Sequence, residues 1–330
     1  MKSSEQKFIE FYEKERKTLD GKFKKIFKGK SPASLYEPSA YLIENGGKRL
    51  RPLLVLLSCM AAGGDKNKAV NAAIAVEILH NFTLVHDDIM DNAPKRRGLP
   101  TLHNKYDLST AILAGDNLIA FAYQYLLKDC LDNDKQVIAT FTKGIVEICE
   151  GQSLDKEFES KKNVTIEEYL LMIKKKTAAL AEICCSIGAQ IAKGNKKDID
   201  NLSKFGLYLG LAFQIQDDLL DIFGNENEFG KTVGGDLIEG KKTYLFIKAL
   251  EHAKGKDKQK LEAVIKNKGI LQEEVQSYKD IYIKLGVIDE ANAEIIKYTT
   301  KALNSIKSLK NTEAIELLNN LANSLIKRNK

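Results

Sequence analysis

Apolar positions along this chain recur at helical rather than strand spacing. Phe8, Tyr12, Leu19 and Phe23 fall at helical turns in an otherwise charged stretch, which predicts an amphipathic helix over about the first 22 residues. After Gly46-Gly47, Pro52 stands where a first helical turn tolerates proline, and the apolar run 53–60 reads as a helix. Residues 67–91 are apolar nearly all round, as in a central buried helix. Pro94 and Gly98 end that segment, and a loop through Pro100 leads to an apolar helix at 111–127. Further helices are predicted at 135–149, 166–193 and 198–223, and amphipathic helices run from about 241 to the end, broken at Gly255, Gly269 and Gly286. The glycine-rich stretch 229–240 is the one long irregular segment between long helices, and such loops are commonly functional. Alternating Val/Ile/Thr runs bounded by turn dipeptides are absent, and all five prolines lie at or before Pro100. No linker composition or internal period divides the chain, so one all-α domain over residues 1–330 is expected.

Two breaks in the apolar pattern carry the chemistry. Asp87-Asp88-Ile89-Met90-Asp91 and Asp217-Asp218-Leu219-Leu220-Asp221 repeat one acidic motif inside apolar runs. In each, the first and last Asp are i and i+4 and share a helix face. At about 4 Å and an effective dielectric near 20, each like-charge contact costs roughly 4 kcal/mol. Carboxylates in such company need divalent cations or become protonated. Oxygen ligands without clustered Cys or His point to magnesium, which bridges carboxylates to substrate phosphates. On a helical wheel His80 falls within about 40° of Asp87 and Asp91, and Gln214 aligns similarly with Asp217 and Asp221. A polar stripe on an apolar helix faces a cavity, which favours a ligand-contacting His80 over a satisfied core histidine.

Cationic residues stand beside both motifs. Lys48 and Arg51 open a helix, where free amides and the dipole already favour an anion. Arg96-Arg97 follow Asp91 in a loop, and a guanidinium fork suits phosphate oxygens. Lys231 and Lys241 flank Gly234, Gly235 and Gly240.

Composition bounds the remaining classes. The 330 residues are 44% hydrophobic, enough to bury a large core. The net charge of +6 comes from scattered lysines without interleaved aromatics, so no nucleic-acid partner is expected. The five cysteines (Cys59, Cys130, Cys149, Cys184, Cys185) lie in apolar helical stretches and suit buried free thiols in a reducing cytoplasm. The longest apolar run, 53–62, is well short of the roughly 20 residues that span a bilayer, so no transmembrane segment is expected. A cytoplasmic protein follows.

Together these stretches resemble the trans-isoprenyl diphosphate synthases of the polyprenyl synthetase family. The matching residues are Gly46-Gly47-Lys48-Arg49-Leu50-Arg51-Pro52, then 77–91 with Arg96-Arg97-Gly98, Ala114-Gly115-Asp116 and Gly151-Gln152. They continue through Lys176-Thr177, residues 210–221, Gly230-Lys231 and Lys241-Lys242-Thr243, covering about 40–245 in order. The resemblance implies antiparallel helices bundled around a deep apolar cavity, usually in a homodimer. It implies that Asp87 and Asp91 bind two magnesium ions and Asp217 a third, with Asp88, Asp218 and Asp221 in support. It assigns Arg96, Lys176, Lys231 and Lys241 to an allylic diphosphate (dimethylallyl, geranyl or farnesyl). Lys48, Arg51, His80, Arg97 and the Gly47 backbone fall to isopentenyl diphosphate. Thr177 and Gln214 place their oxygens near the allylic carbon.

The chemistry so implied is ionisation of the allylic C–O bond, attack by the isopentenyl double bond and loss of a proton, with no side-chain nucleophile. A terpene cyclase shares the fold, but its second metal motif typically mixes Asn, Ser or Thr and Glu rather than Asp217-Asp218-Leu219-Leu220-Asp221. A non-catalytic partner subunit would have lost a motif, and a purely structural helical protein leaves the polar stripes unexplained. In the family, large residues just before the first motif close the cavity floor. Here Phe82 and Thr83 hold those places, with Leu79 a turn further back. Phe82 sits about 140° from the Asp87 stripe and reaches a floor only if the cavity bends beneath the helix. The aromatic resembles short-chain synthases: geranylgeranyl diphosphate is the expected product, with farnesyl or a longer polyprenyl diphosphate as alternatives.

Overall fold

The computed structural model describes residues 3–130, 134–224 and 233–326, which are helical almost throughout. In chain order the elements begin with α1 (Ser4–Phe23), α2 (Ala33–Glu44), α3 (Leu50–Ala61), a 3₁₀ turn (Lys66–Ala69) and α4 (Val70–Met90). A two-residue hairpin follows, β1 (Lys95–Arg96) with β2 (Leu99–Pro100), the one ladder among the described residues. Then come α5 (Leu102–Lys105), α6 (Leu108–Leu126), α7 (Asp134–Ser160), α8 (Ile166–Ile173), one π-helical turn (Lys174–Ala178), α9 (Ala179–Ile191) and α10 (Lys196–Phe223). Past α10 lie Gly235–Ile238, Tyr244–His252, Gly255–Asn267, Val275–Lys284, Val287–Ile306 and Thr312–Ile326. The stretch read as wholly irregular therefore contains a helical turn, Gly235–Ile238, and Lys231 lies outside the described residues.

The chain groups into two compact units, the first formed by Met1–Thr142, Ile183–Ser203 and Ile306–Leu321. At its centre α4 packs on α3 and α6. Small side chains at Ala72, Ala73 and Ala75, and at Ala111, Ala114 and Ala122 of α6, are fully buried and let the helix axes approach closely. With its 3₁₀ start, the helix Lys66–Met90 is long and apolar enough by composition to cross a bilayer, but most of it is buried within this unit. The second unit comprises Lys143–Glu182, Lys204–Ser305 and Ala322–Lys330. Its core gathers Tyr169, Met172, Ile215, Leu219, Phe246 and Tyr282.

Two local departures from the sequence reading meet at Gly151. The helix predicted to stop at 149 continues to Ser160, and the helix predicted unbroken over 166–193 contains the π turn. Gly151 costs α7 about 1 kcal/mol in helix propensity. A Cβ there, however, would lie 2.2 Å from the backbone nitrogen of Lys176, so only glycine lets the π turn seat against α7. The expectation of five buried thiols is corrected: Cys59, Cys184 and Cys185 are buried, Cys130 is half-buried beyond the end of α6, and Cys149 is exposed. In α7, Phe141, Gly144, Ile148 and Gly151 form the buried stripe, and Cys149 lies about 100° off it.

Candidate active site

In the first unit, α4 carries His80, Asp87 and Asp91 on one stripe, with His80 and Asp87 half-buried and Asp91 exposed at the C-cap. Asp88 sits a third of a turn away and is only 3% exposed. Its Oδ1 accepts from Arg96 Nε at 2.7 Å and Nη2 at 2.6 Å. Burial pushes the Asp88 carboxyl above the usual range, and the bond from Arg96 pulls it back. Asp88 therefore supports the motif by gripping the hairpin, and Arg96 spends two guanidinium nitrogens on it.

The hairpin also turns Arg97 towards the loop before α3, where its Nη1 donates to the Gly46 carbonyl at 2.5 Å. Gly47 has φ 145°, and a Cβ there would meet the Arg97 guanidinium at 3.1 Å. The positive φ favours glycine, and any side chain there would also make the Arg97 guanidinium give way by a few tenths of an ångström. From the first turn of α3, Arg51 Nη1 lies 3.1 Å from His80 Nε2. Arginine has no acceptor, so Nε2 must accept and the ring proton belongs on Nδ1. Burial, then Arg51, Arg97, Arg96 and Arg49, holds the His80 pKa well below its usual 6.5. A neutral imidazole thus stands among guanidinium groups. Gly47, Arg51, His80 and Arg97 are brought together as expected. Lys48 is exposed, with its carbonyl accepting from Tyr12 Oη at 2.8 Å.

The proposed chain-length positions lie on the same helix. Leu79 is fully buried. Thr83 Oγ1 donates back to the His80 carbonyl at 2.8 Å. Phe82 is half-buried, with its ring centroid 4.6 Å from that of His86.

The second unit builds a comparable arrangement on α10. Gln214, Asp217 and Asp221 are half-buried along one stripe, while Asp218 is 3% exposed. Asp218 Oδ2 accepts from Tyr169 Oη at 2.6 Å and the Tyr244 amide at 2.9 Å, and Oδ1 accepts from Gln214 Nε2 at 3.0 Å. Burial, then the nearby Asp236, raises the Asp218 carboxyl to about 7, against which its three donors pull. Gln214 Oε1 in turn accepts from Thr177 Oγ1 at 2.8 Å. One hydrogen-bonded chain therefore runs from Thr177 on the π turn through Gln214 to Asp218 and Tyr169. It fixes which end of the Gln214 amide faces the threonine.

The π turn also presents Lys176, whose Nζ meets Asp155 Oδ2 at 2.6 Å, each side chain about a quarter exposed. Asp221 organises the glycine loop: its carbonyl accepts from the Gly234 amide at 2.7 Å and its Oδ2 from the Asp236 amide at 3.2 Å. Lys241 lies 2.7 Å from Glu239 and 3.5 Å from Asp236.

Several partners escaped the sequence reading. Asp155, Asp236 and Tyr169 carry no motif of their own. Arg49 and Glu77 lay inside matched stretches yet were given no role, although a buried Arg–Glu pair is 2.9 Å apart there. A charged residue on the apolar helix α4, as Glu77 is, was the available signal.

Among the described residues no three His, Cys, Asp or Glu side chains gather closely enough to hold a metal alone. The carboxylates along the two stripes are hard oxygen donors of the kind a divalent cation shares with substrate phosphates. The donors are all carboxylate oxygens, with the middle one of each motif occupied by protein hydrogen bonds. The residues present fit the ion.

A helical protein with two such carboxylate stripes and a cationic loop belongs to the class that handles isoprenoid diphosphates. The chain belongs to the polyprenyl synthetase family, whose model matches residues 32–282. It is 45% identical over 302 residues to a geranylgeranyl diphosphate synthase of Sulfolobus acidocaldarius, covering 90% of this chain and 91% of that one. It is 37% identical over 315 residues to a geranylfarnesyl diphosphate synthase of Natronomonas pharaonis, covering 90% and 91%. The solved geranylgeranyl pyrophosphate synthetase of Pyrococcus horikoshii superposes with a TM-score of 0.91 at 38% identity, covering 97% of this chain and 98% of that one. The protein is a trans-prenyltransferase of the short-chain type, the family acts on isoprenoid diphosphates, and it uses a divalent metal.

Proposed function

We propose that the enzyme condenses isopentenyl diphosphate with an allylic diphosphate (dimethylallyl, geranyl or farnesyl) and releases geranylgeranyl diphosphate. The carrying observation is the shared design of the two motifs. In each, the middle Asp is buried and held by protein donors while the flanking carboxylates line one helix stripe, and by family likeness Asp87, Asp91 and Asp217 are the magnesium ligands, with Asp88, Asp218 and Asp221 in support. About three magnesium ions, by family likeness, would neutralise the diphosphate leaving group electrostatically. Arg96, Lys176, Lys231 and Lys241 hold the allylic diphosphate. Lys48, Arg51, His80, Arg97 and the Gly47 backbone hold isopentenyl diphosphate.

The residues then divide the work. The cationic side chains bind and orient the two diphosphates. Thr177 and Gln214, locked to Asp218, hold their oxygen dipoles towards positive charge developing on the allylic carbon. A neutral His80 donates a hydrogen bond without accepting a proton. The isopentenyl double bond attacks the allylic cation, and the departing diphosphate takes the proton released from the adduct. Apolar residues such as Leu79 and Phe82 exclude water and limit chain growth.

Three further readings accompany this function. A homodimer is supported by Leu108 and Ile112, large apolar side chains exposed at i and i+4 on α6, with Leu113 exposed beside them. The two units are read as one functional domain, since the family model spans residues in both. A cytoplasmic location agrees with five cysteines that form no disulfide with one another. The reading is tested by assaying purified enzyme with isopentenyl and farnesyl diphosphates, with and without a chelator. Magnesium-restored turnover is expected. Turnover indifferent to the chelator would contradict it.

A further inference from the structure

Beside the proposed isopentenyl diphosphate site lies a charged side chain that touches no substrate in the mechanism above. Arg49 is 3% exposed, caps the N-terminus of α3 and adopts a left-handed φ of 49°. A non-glycine residue keeps that conformation only where its surroundings over-determine it. Here they do. The guanidinium donates from Nε to Asp20 of α1 at 2.9 Å, from Nη1 to Glu77 of α4 at 2.9 Å and from Nη2 to the Ile43 carbonyl of α2 at 2.7 Å. Its carbon centre also lies 4.4 Å from the Phe23 ring centroid. One side chain thus ties three helices to the start of a fourth.

The position of this tie relates it to the site. Lys48 precedes Arg49, and Arg51 follows two residues later. Glu77 and His80 are i and i+3 on α4 and so share a face. Arg51 reaches His80 at 3.1 Å. Arg49, Arg51, His80 and Glu77 therefore close a ring of covalent and hydrogen-bonded links, and turning α3 about its axis would open it at both contacts. We infer that Arg49, clamped by Glu77 and Asp20, is a positioning residue that sets the phase of the first turn of α3, so that Lys48 and Arg51 meet the diphosphate of isopentenyl diphosphate together with His80. The inference rests on the assignment of Arg51 and His80 to that substrate.

The test compares Arg49→Lys, Glu77→Gln and Arg51→Ala in the full chain, reading the KM of each substrate and the thermal midpoint. Lysine keeps the charge but cannot hold three partners in a planar fork. Arg49→Lys should raise the isopentenyl diphosphate KM on the order of tenfold and move the allylic KM less than twofold. Combined with Arg51→Ala, it should add little to the larger single effect, because both act through one group. Glu77→Gln, which keeps shape and an acceptor, serves if Arg49→Lys does not fold. Removing a negative charge near an anion site should by itself lower KM, so a severalfold rise in the isopentenyl diphosphate KM alone reports lost positioning. A residue serving the fold alone would lower the thermal midpoint and move both KM values together, which would overturn the inference. An unchanged isopentenyl diphosphate KM in the folded variant, with Arg51→Ala raising it, would overturn it too. If Arg51→Ala itself left that KM unchanged, the substrate assignment would fail, and the inference with it.

Discussion

Tyr169→Phe isolates the hydrogen-bonded chain that holds Gln214. Tyr169 is 2% exposed and Asp218 3%, and their 2.6 Å bond joins two groups without ready access to water. Burial and then the charge of Asp218 hold the tyrosine pKa well above its usual 10, so the phenol is the donor throughout the working range. Phenylalanine keeps the ring and its packing but removes that donor. Asp218 then retains the Tyr244 amide and Gln214. A hydrogen bond to a charged group contributes about 1.5–3 kcal/mol, so the variant should lose that much stability at pH 8 in urea. A double-mutant cycle with Asp218→Asn should return a coupling in the same range. The Asp218 carboxyl, now about 7, should also rise, since the lost donor was one that held it down. The acid limb of the turnover profile should therefore move to higher pH, with both substrate KM values little changed. A stability loss under about 0.5 kcal/mol with an unmoved acid limb would refute the reasoning.

Three other outcomes are expected. Asp87→Asn or Asp217→Asn should cut turnover on the order of a thousandfold, about 4 kcal/mol of transition-state stabilisation, and near-normal turnover at limiting magnesium would remove the metal assignment. Phe82→Ala, checked for folding because the void costs a few kcal/mol, should lengthen the product by at least one five-carbon unit, as read by chain-length analysis. His80 is held neutral when folded but titrates near 6.5 when unfolded. Below that pH the unfolded chain binds the extra proton, so stability falls with pH, by at most about 1.4 kcal/mol per unit. His80→Gln should therefore lose less stability than the natural protein between pH 7 and 5.5 in urea titrations.

What was legible in the sequence followed from helical period and charge. The run 67–91 announced the central helix α4, and the i, i+4 spacing of Asp87 with Asp91 and Asp217 with Asp221 placed each pair on one stripe. The same wheel put Asp88 and Asp218 off the stripe, but nothing in the sequence showed that Arg96 and Tyr169 would claim them. Those partners come from a hairpin eight residues on and a helix 49 residues away. The π turn was invisible because hydrophobic period alone does not distinguish i+4 from i+5 bonding over one turn, and nothing local showed that the missing side chain at Gly151 makes room for the neighbouring backbone. Arg49 was hidden by company: among Lys48, Arg51, Arg96 and Arg97, no local signal shows which cation is buried.

The most direct measurement is incubation of the purified enzyme with magnesium, labelled isopentenyl diphosphate and each allylic primer in turn, followed by chain-length analysis of the hydrolysed products. Label should appear in geranylgeraniol, and nothing should form from the allylic primer alone. Cyclised, unlabelled hydrocarbon formed without isopentenyl diphosphate would contradict the account.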